Sequence, residues 1–175
     1  MATDDFTTNT SPQGDPEQLA ARFRNGANWF FWIAGLSMVN SIMFLSGGEL
    51  NFVVGLGLTQ VIDGIAGAIA KEAKDAEMVV RVVAFGLDVV IAGFVVGFGV
   101  LARKGFDWAF LVGMVLYAFD GLIFLLVQDW LSIGFHVFAL FCIWAGLKAL
   151  RELRQYAAAE AALAPALADA DAVQP

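Results

Sequence analysis

The sequence predicts an all-α integral membrane protein, a bundle of transmembrane helices. Three observations predict it. Of 175 residues, 59% are apolar and only 15% are charged, against roughly 25% charged in a soluble globular chain. The apolar residues gather in five runs of the length a bilayer needs, about 20 residues for a hydrocarbon core of about 30 Å. The connections between the runs are short and hold most of the charge, which leaves no room for a soluble catalytic domain.

Taken in order, residues 1–24 have no apolar period and carry Asp4, Asp5, Pro12, Asp15, Pro16 and Glu17; they read as a disordered polar tail. A cleavable signal peptide is not expected, because this stretch lacks a basic start and an apolar middle. The bundle then occupies 25–154, with spans at 29–46, 52–70, 82–102, 106–128 and 130–149. Gly47-Gly48-Glu49 reads as a turn, and Arg103-Lys104-Gly105 and Gln128-Asp129 as tight connections. Residues 71–81 (KEAKDAEMVVR) read as a charged helix or loop at the membrane surface. Residues 155–175 begin as an Ala-rich helical extension that Pro165 is expected to stop, leaving a disordered acidic tail. Each span must satisfy its own backbone in hydrocarbon, which dictates helices. A β-barrel is excluded because the runs do not alternate lipid-facing and lumen-facing residues.

An internal repeat is visible. Arg24-Asn25-Gly26-Ala27-Asn28-Trp29-Phe30-Phe31 aligns with Arg103-Lys104-Gly105-Phe106-Asp107-Trp108-Ala109-Phe110. Further on, Asn40 aligns with Asp120, Glu49 with Asp129, and Gly55 and Gly67 with Gly134 and Gly146. This reads as a duplicated two-helix hairpin, the third segment linking the copies. With five spans the second hairpin is inverted relative to the first, and the ten basic residues divide five against five, so the positive-inside rule assigns no orientation. The alternative is four spans with 82–102 re-entrant, which puts all ten on one side. Gly86, Gly93, Gly97, Gly99 and Asp88 in that segment allow it, although Gly93 and Gly97 equally suit close helix packing.

Polar residues inside the spans carry the functional reading. Asp63, Asp88, Asp120, His136, Asn40 and Gln60 lie within apolar runs. A mid-span Asp costs about 2.5–3.5 kcal/mol on insertion scales, so such residues are paired or line a cavity. At 1.5 Å per residue, five spans place Asp63, Asp88, Asp120 and His136 about 10–13 Å from one surface, in a single layer. That layer suits proton or cation binding, with His136 able to exchange protons near neutral pH; the competing role is interhelical hydrogen bonding. Lys148, Arg151 and Arg154, with Trp29, Trp108 and Trp130, read as headgroup anchors.

Other classes fall away. The net charge of −7 gives no footprint for nucleic acid. The single cysteine, Cys142, allows no intramolecular disulfide. No nucleotide-binding, hydrolase or metalloprotease motif is present, so neither an enzyme, a cofactor nor a metal site is expected. The expected partners are the lipid bilayer and either further copies of the chain or a larger membrane complex; the expected location is a cell membrane, read as a bacterial inner membrane. The leading functional expectation is a structural or accessory subunit. The alternative is a small proton- or cation-coupled transporter using the intramembrane carboxylates.

Overall fold

A computed structural model describes residues 15–46 and 55–172. The Gly47-Gly48-Glu49 turn, the Glu49–Asp129 match of the repeat, and the tail residues 1–14 and 173–175 lie outside the described residues. The described chain is helical, without strands: α1 Pro16–Leu45, α2 Gly57–Glu72, a 3-10 turn Lys74–Ala76, α3 Glu77–Arg103, α4 Asp107–Leu126 and α5 Trp130–Ala172. Four of these, α1, α3, α4 and α5, are long and apolar enough to cross a membrane. The fifth expected span is not among them. Instead of filling 52–70, α2 has 16 residues and starts deep in the bundle.

Two helix ends depart from the sequence expectation for local reasons. Residues 16–24 are helical rather than part of a disordered tail. Asp15 accepts a hydrogen bond from the Glu17 N–H at 3.0 Å, Pro16 stands at the first helical position and Glu17 in the first turn. Together these satisfy and electrostatically favour a helix start. At the other end, α5 continues through Pro165 to Ala172 instead of stopping. Proline deletes one backbone bond and crowds the turn before it, and the alanines around it are strong helix formers.

Contacts fix the arrangement. At one end of the bundle, the Arg103 guanidinium donates to Asn28 Oδ1 at 2.9 Å through Nε and stacks on Phe31. Beside it, Arg154 pairs with Asp107 at 2.8 Å and donates to the Gly105 carbonyl. At the other end, Arg81 donates to the Phe44 carbonyl at 2.6 Å and lies over the Phe44 ring. Helices α1 and α4 therefore run from the first end to the second, and α3 and α5 return. The two halves of the repeat start at the same end with the same direction, not inverted.

The α1–α5 crossing is the tightest. A Cβ built on Gly26 would sit 2.4 Å from the Gly146 Cα, and one on Gly146 would sit 2.6 Å from the Gly26 Cα. Backbones approach this closely only where both residues lack a side chain. Around the crossing pack Ala27, Phe30, Ile33, Phe110, Ile143 and Leu147, all buried. Gly93 and Gly97, which the sequence also suited to close packing, have open space where a side chain would be. Nor is 82–102 a re-entrant loop: it lies within the single 27-residue helix α3.

Candidate functional site

The place where α2 starts organises the polar interior. Leu56 donates its N–H to Ser37 Oγ at 2.7 Å, and Ser37 in turn donates to the Ile33 carbonyl at 3.0 Å. Gly57 and Leu58 donate their N–H groups to the two oxygens of Asp120, at 2.7 and 2.9 Å. A helix start leaves four N–H groups without intrahelical partners and carries a partial positive charge; a carboxylate reaching over from α4 meets both needs. Gly57 fits because a Cβ there would lie 3.0 Å from the Asp120 carbonyl and 2.9 Å from the Phe124 ring. Ser37 is eight residues, about 12 Å, from the end of α1. Asp120 is six residues, about 9 Å, from the end of α4. Helix α2 therefore begins roughly 10 Å inside the bundle's second end and rises to that same end.

Asp120 has a third partner. His136 Nε2 lies 3.0 Å from Asp120 Oδ2, while His136 Nδ1 lies 2.9 Å from the Ser132 carbonyl. Both ring nitrogens thus face hydrogen-bond acceptors, and a neutral imidazole has a single N–H. The tautomer decides whether the Asp120 or the Ser132 contact is the hydrogen bond, and a proton on both nitrogens would make both. Gly121 makes room, since a Cβ there would sit 3.0 Å from the His136 ring. Tyr117 stacks on His136 with centroids 4.3 Å apart and planes 16° from parallel. The Tyr117 hydroxyl is buried with no hydrogen-bond partner.

A second cluster lies six residues further along α2, about 9 Å away. There Asp63 on α2, Asp88 on α3 and Ser41 on α1 converge, within hydrogen-bonding reach of one another. Asp88 and Ser41 are 0% exposed and Asp63 is 6%. Asp63 Oδ1, both oxygens of Asp88 and Ser41 Oγ have no directed hydrogen-bond partner. Two ionised carboxylates are acceptors only and repel at contact distance. Among the described residues no three His, Cys, Asp or Glu side chains are grouped to hold a metal ion. A shared proton is the simplest way to satisfy the pair.

The six polar residues singled out in the sequence therefore do not form one cluster. Asp63 and Asp88 meet each other, and Asp120 meets His136. Asn40 is buried on α1 beside Gly55, whose Cβ would lie 3.0 Å from Asn40 Nδ2. Gln60 has a buried Nε2 without a partner. The first pair bridges α2 and α3 and the second bridges α4 and α5 beside the start of α2. Sequence reasoning missed Ser37, Ser41 and Tyr117. The signal for the serines was their spacing with Asn40: positions 37, 40 and 41 share one helical face, a polar stripe in an apolar run.

The expected headgroup anchors divide. Trp108 and Trp130 are exposed, whereas Trp29 packs edge-on against Phe138 at 5.3 Å on α5. Arg151 and Arg154 both approach Asp107, at 3.7 and 2.8 Å, and Lys148 pairs with Glu152 at 3.9 Å. The basic stripe ties the exit of α5 to the start of α4. The chain matches no family model, no curated protein and no solved structure.

Proposed function

We propose that this chain is a small proton-coupled membrane transporter with four spans and one re-entrant helix. In this reading α2 starts inside the bilayer and ends on the side where α1 ends. The contact between Asp63 and Asp88 carries it: two buried carboxylates that a shared proton would satisfy, one of them on α2, which in this reading starts inside the membrane. Glue between helices gives a buried polar group a directed donor, and these oxygens have none despite the Ser41 hydroxyl beside them. Half-helices that begin near the midplane are also where transporters build ion and substrate sites. The structural or accessory role, the leading expectation from sequence, has no comparable observation in its favour.

Orientation follows from charge. The first end carries Arg22, Arg24, Arg103, Lys104, Lys148, Arg151 and Arg154, and the second Lys71, Lys74 and Arg81. The excess favours the first end, where α1 starts, as the cytoplasmic one. Whether the membrane is a bacterial inner membrane, and whether copies associate, belong to the same proposal.

Purified protein in liposomes with an internal pH-sensitive dye tests it. Under an imposed membrane potential the wild type carries protons, and Asp88→Asn and Asp63→Asn abolish the flux while keeping the helical signal. Proton flux equal in wild type and both variants would remove the reading and return the accessory role to first place.

A further inference from the structure

A cleft of about 400 Å³ opens between α3 and α4 beside the start of α2. Its size falls in the range of small-molecule sites. Its lining is almost wholly apolar and rich in rings: Phe30 forms the floor at 1% exposed, while Phe94 and Phe119 stand at the mouth, 68% and 64% exposed. Phe98 and Tyr117 complete the rings, and the one charged group in the wall is Asp120. Because its mouth lies between two spans, the cleft faces hydrocarbon in the membrane reading proposed above.

Aromatic faces around an anionic group form the environment that attracts an organic cation. When His136 carries a proton on both nitrogens, its positive charge lies 3.0 Å from Asp120 Oδ2. If the Nε2 proton leaves, the imidazole keeps its Nδ1–H on the Ser132 carbonyl and turns an Nε2 lone pair toward Asp120. The carboxylate then has no full positive charge near it. Its surroundings can be enumerated by element. Helix α2 offers two backbone N–H groups, α4 the neutral Tyr117, and α5 only His136. The lining of α1 and α3 carries no charge.

We propose that the cleft binds a lipophilic organic cation, and that this cation and the His136 proton compete for Asp120. The exchange balances: a cation enters the cleft, one proton leaves the pair, and the charge inside is unchanged. This deepens the transporter reading by naming a substrate class for which a proton is exchanged. Binding is measured without flux, so the two ideas can fail separately.

The test uses the full chain in detergent micelles with tetraphenylphosphonium as the probe and tetraphenylborate, of similar shape and opposite charge, as the control. Site binding is the difference between wild type and Leu116→Trp, a substitution at a cleft-lining, lipid-exposed position that fills the space. The expected result is saturable phosphonium binding absent from Leu116→Trp and tightening as pH rises. About one proton should be released per cation in weakly buffered solution. Phe94→Leu and Phe119→Leu, exposed enough to leave folding intact, should each weaken binding by about 2- to 30-fold. Equal site binding of both probes would overturn the proposal, because the cleft would then be merely greasy. So would phosphonium binding unchanged in Leu116→Trp and both Phe variants, binding without proton release, or no binding at all.

Discussion

Removing the Asp120 carboxylate should be the most damaging single truncation in the polar interior. Asp120→Ala strips partners from the N–H groups of Gly57 and Leu58, held at 2.7 and 2.9 Å. It also removes the partner of His136 Nε2. A hydrogen bond to a charged group contributes about 1.5–3 kcal/mol net, so the lower figure applied to two backbone donors gives a loss of about 3 kcal/mol. Asp120→Asn keeps one acceptor oxygen and should lose about half as much. Denaturant unfolding in micelles measures the total, and hydrogen exchange locates it, with amides 57 and 58 accelerating first. Two ordinary interhelical bonds, averaging about 0.6 kcal/mol each in measured membrane proteins, would sum to about 1 kcal/mol. A loss that small, or unchanged exchange at the start of α2, would refute the claim that Asp120 holds that helix inside the bundle.

Two further outcomes follow from the geometry. Gly26→Val places a branched side chain where even a Cβ would meet the Gly146 backbone at 2.4 Å; α1 and α5 must separate, and unfolding should show a loss of about 1–3 kcal/mol or more. Asp129, at the start of α5, is held below the usual carboxylate range by the hydroxyl and then the N–H of Ser132, which bond it at 2.6 and 3.2 Å. A depressed folded-state value means this contribution is complete above the ordinary Asp value of about 3.9 and is lost as pH falls through the folded-state value. Ser132→Ala should move the Asp129 titration, followed by NMR, upward toward about 3.9 and flatten the acid side of the stability profile; an unmoved titration would assign the depression to another cause.

Much of the architecture was legible in hydropathy, because a run of about 20 apolar residues has few fates. The helices α3, α4 and α5 and their tight connections follow directly from it. The second segment misled for a specific reason: 52–70 is as apolar as a span, and hydropathy reports solvent, not depth. What shortens it is Asp120, far away in sequence, offering a cap to Gly57. Once α2 starts inside the bundle, the direction of the second hairpin and the division of basic residues change together. The start of α1 was legible in Asp15-Pro16-Glu17 and was obscured by the acidic, proline-bearing composition around it. Of the candidate site, the six polar residues were visible as unusual in their setting, but their partners were not, since pairing depends on helix register across the bundle.

The central claim is that α2 is a half-helix belonging to a re-entrant segment, and sidedness tests it most directly. Single cysteines introduced at Asp75 and Lys104, and at each terminus, in a Cys142→Ser background, can be labelled in sealed vesicles with a membrane-impermeant maleimide. The account predicts labelling of Asp75 from the side opposite to both termini and Lys104. Termini on opposite sides would mean that 52–70 crosses fully as one of five spans. Asp75 on the same side as both termini and Lys104 would instead make 82–102 the re-entrant piece, and either result would contradict the account.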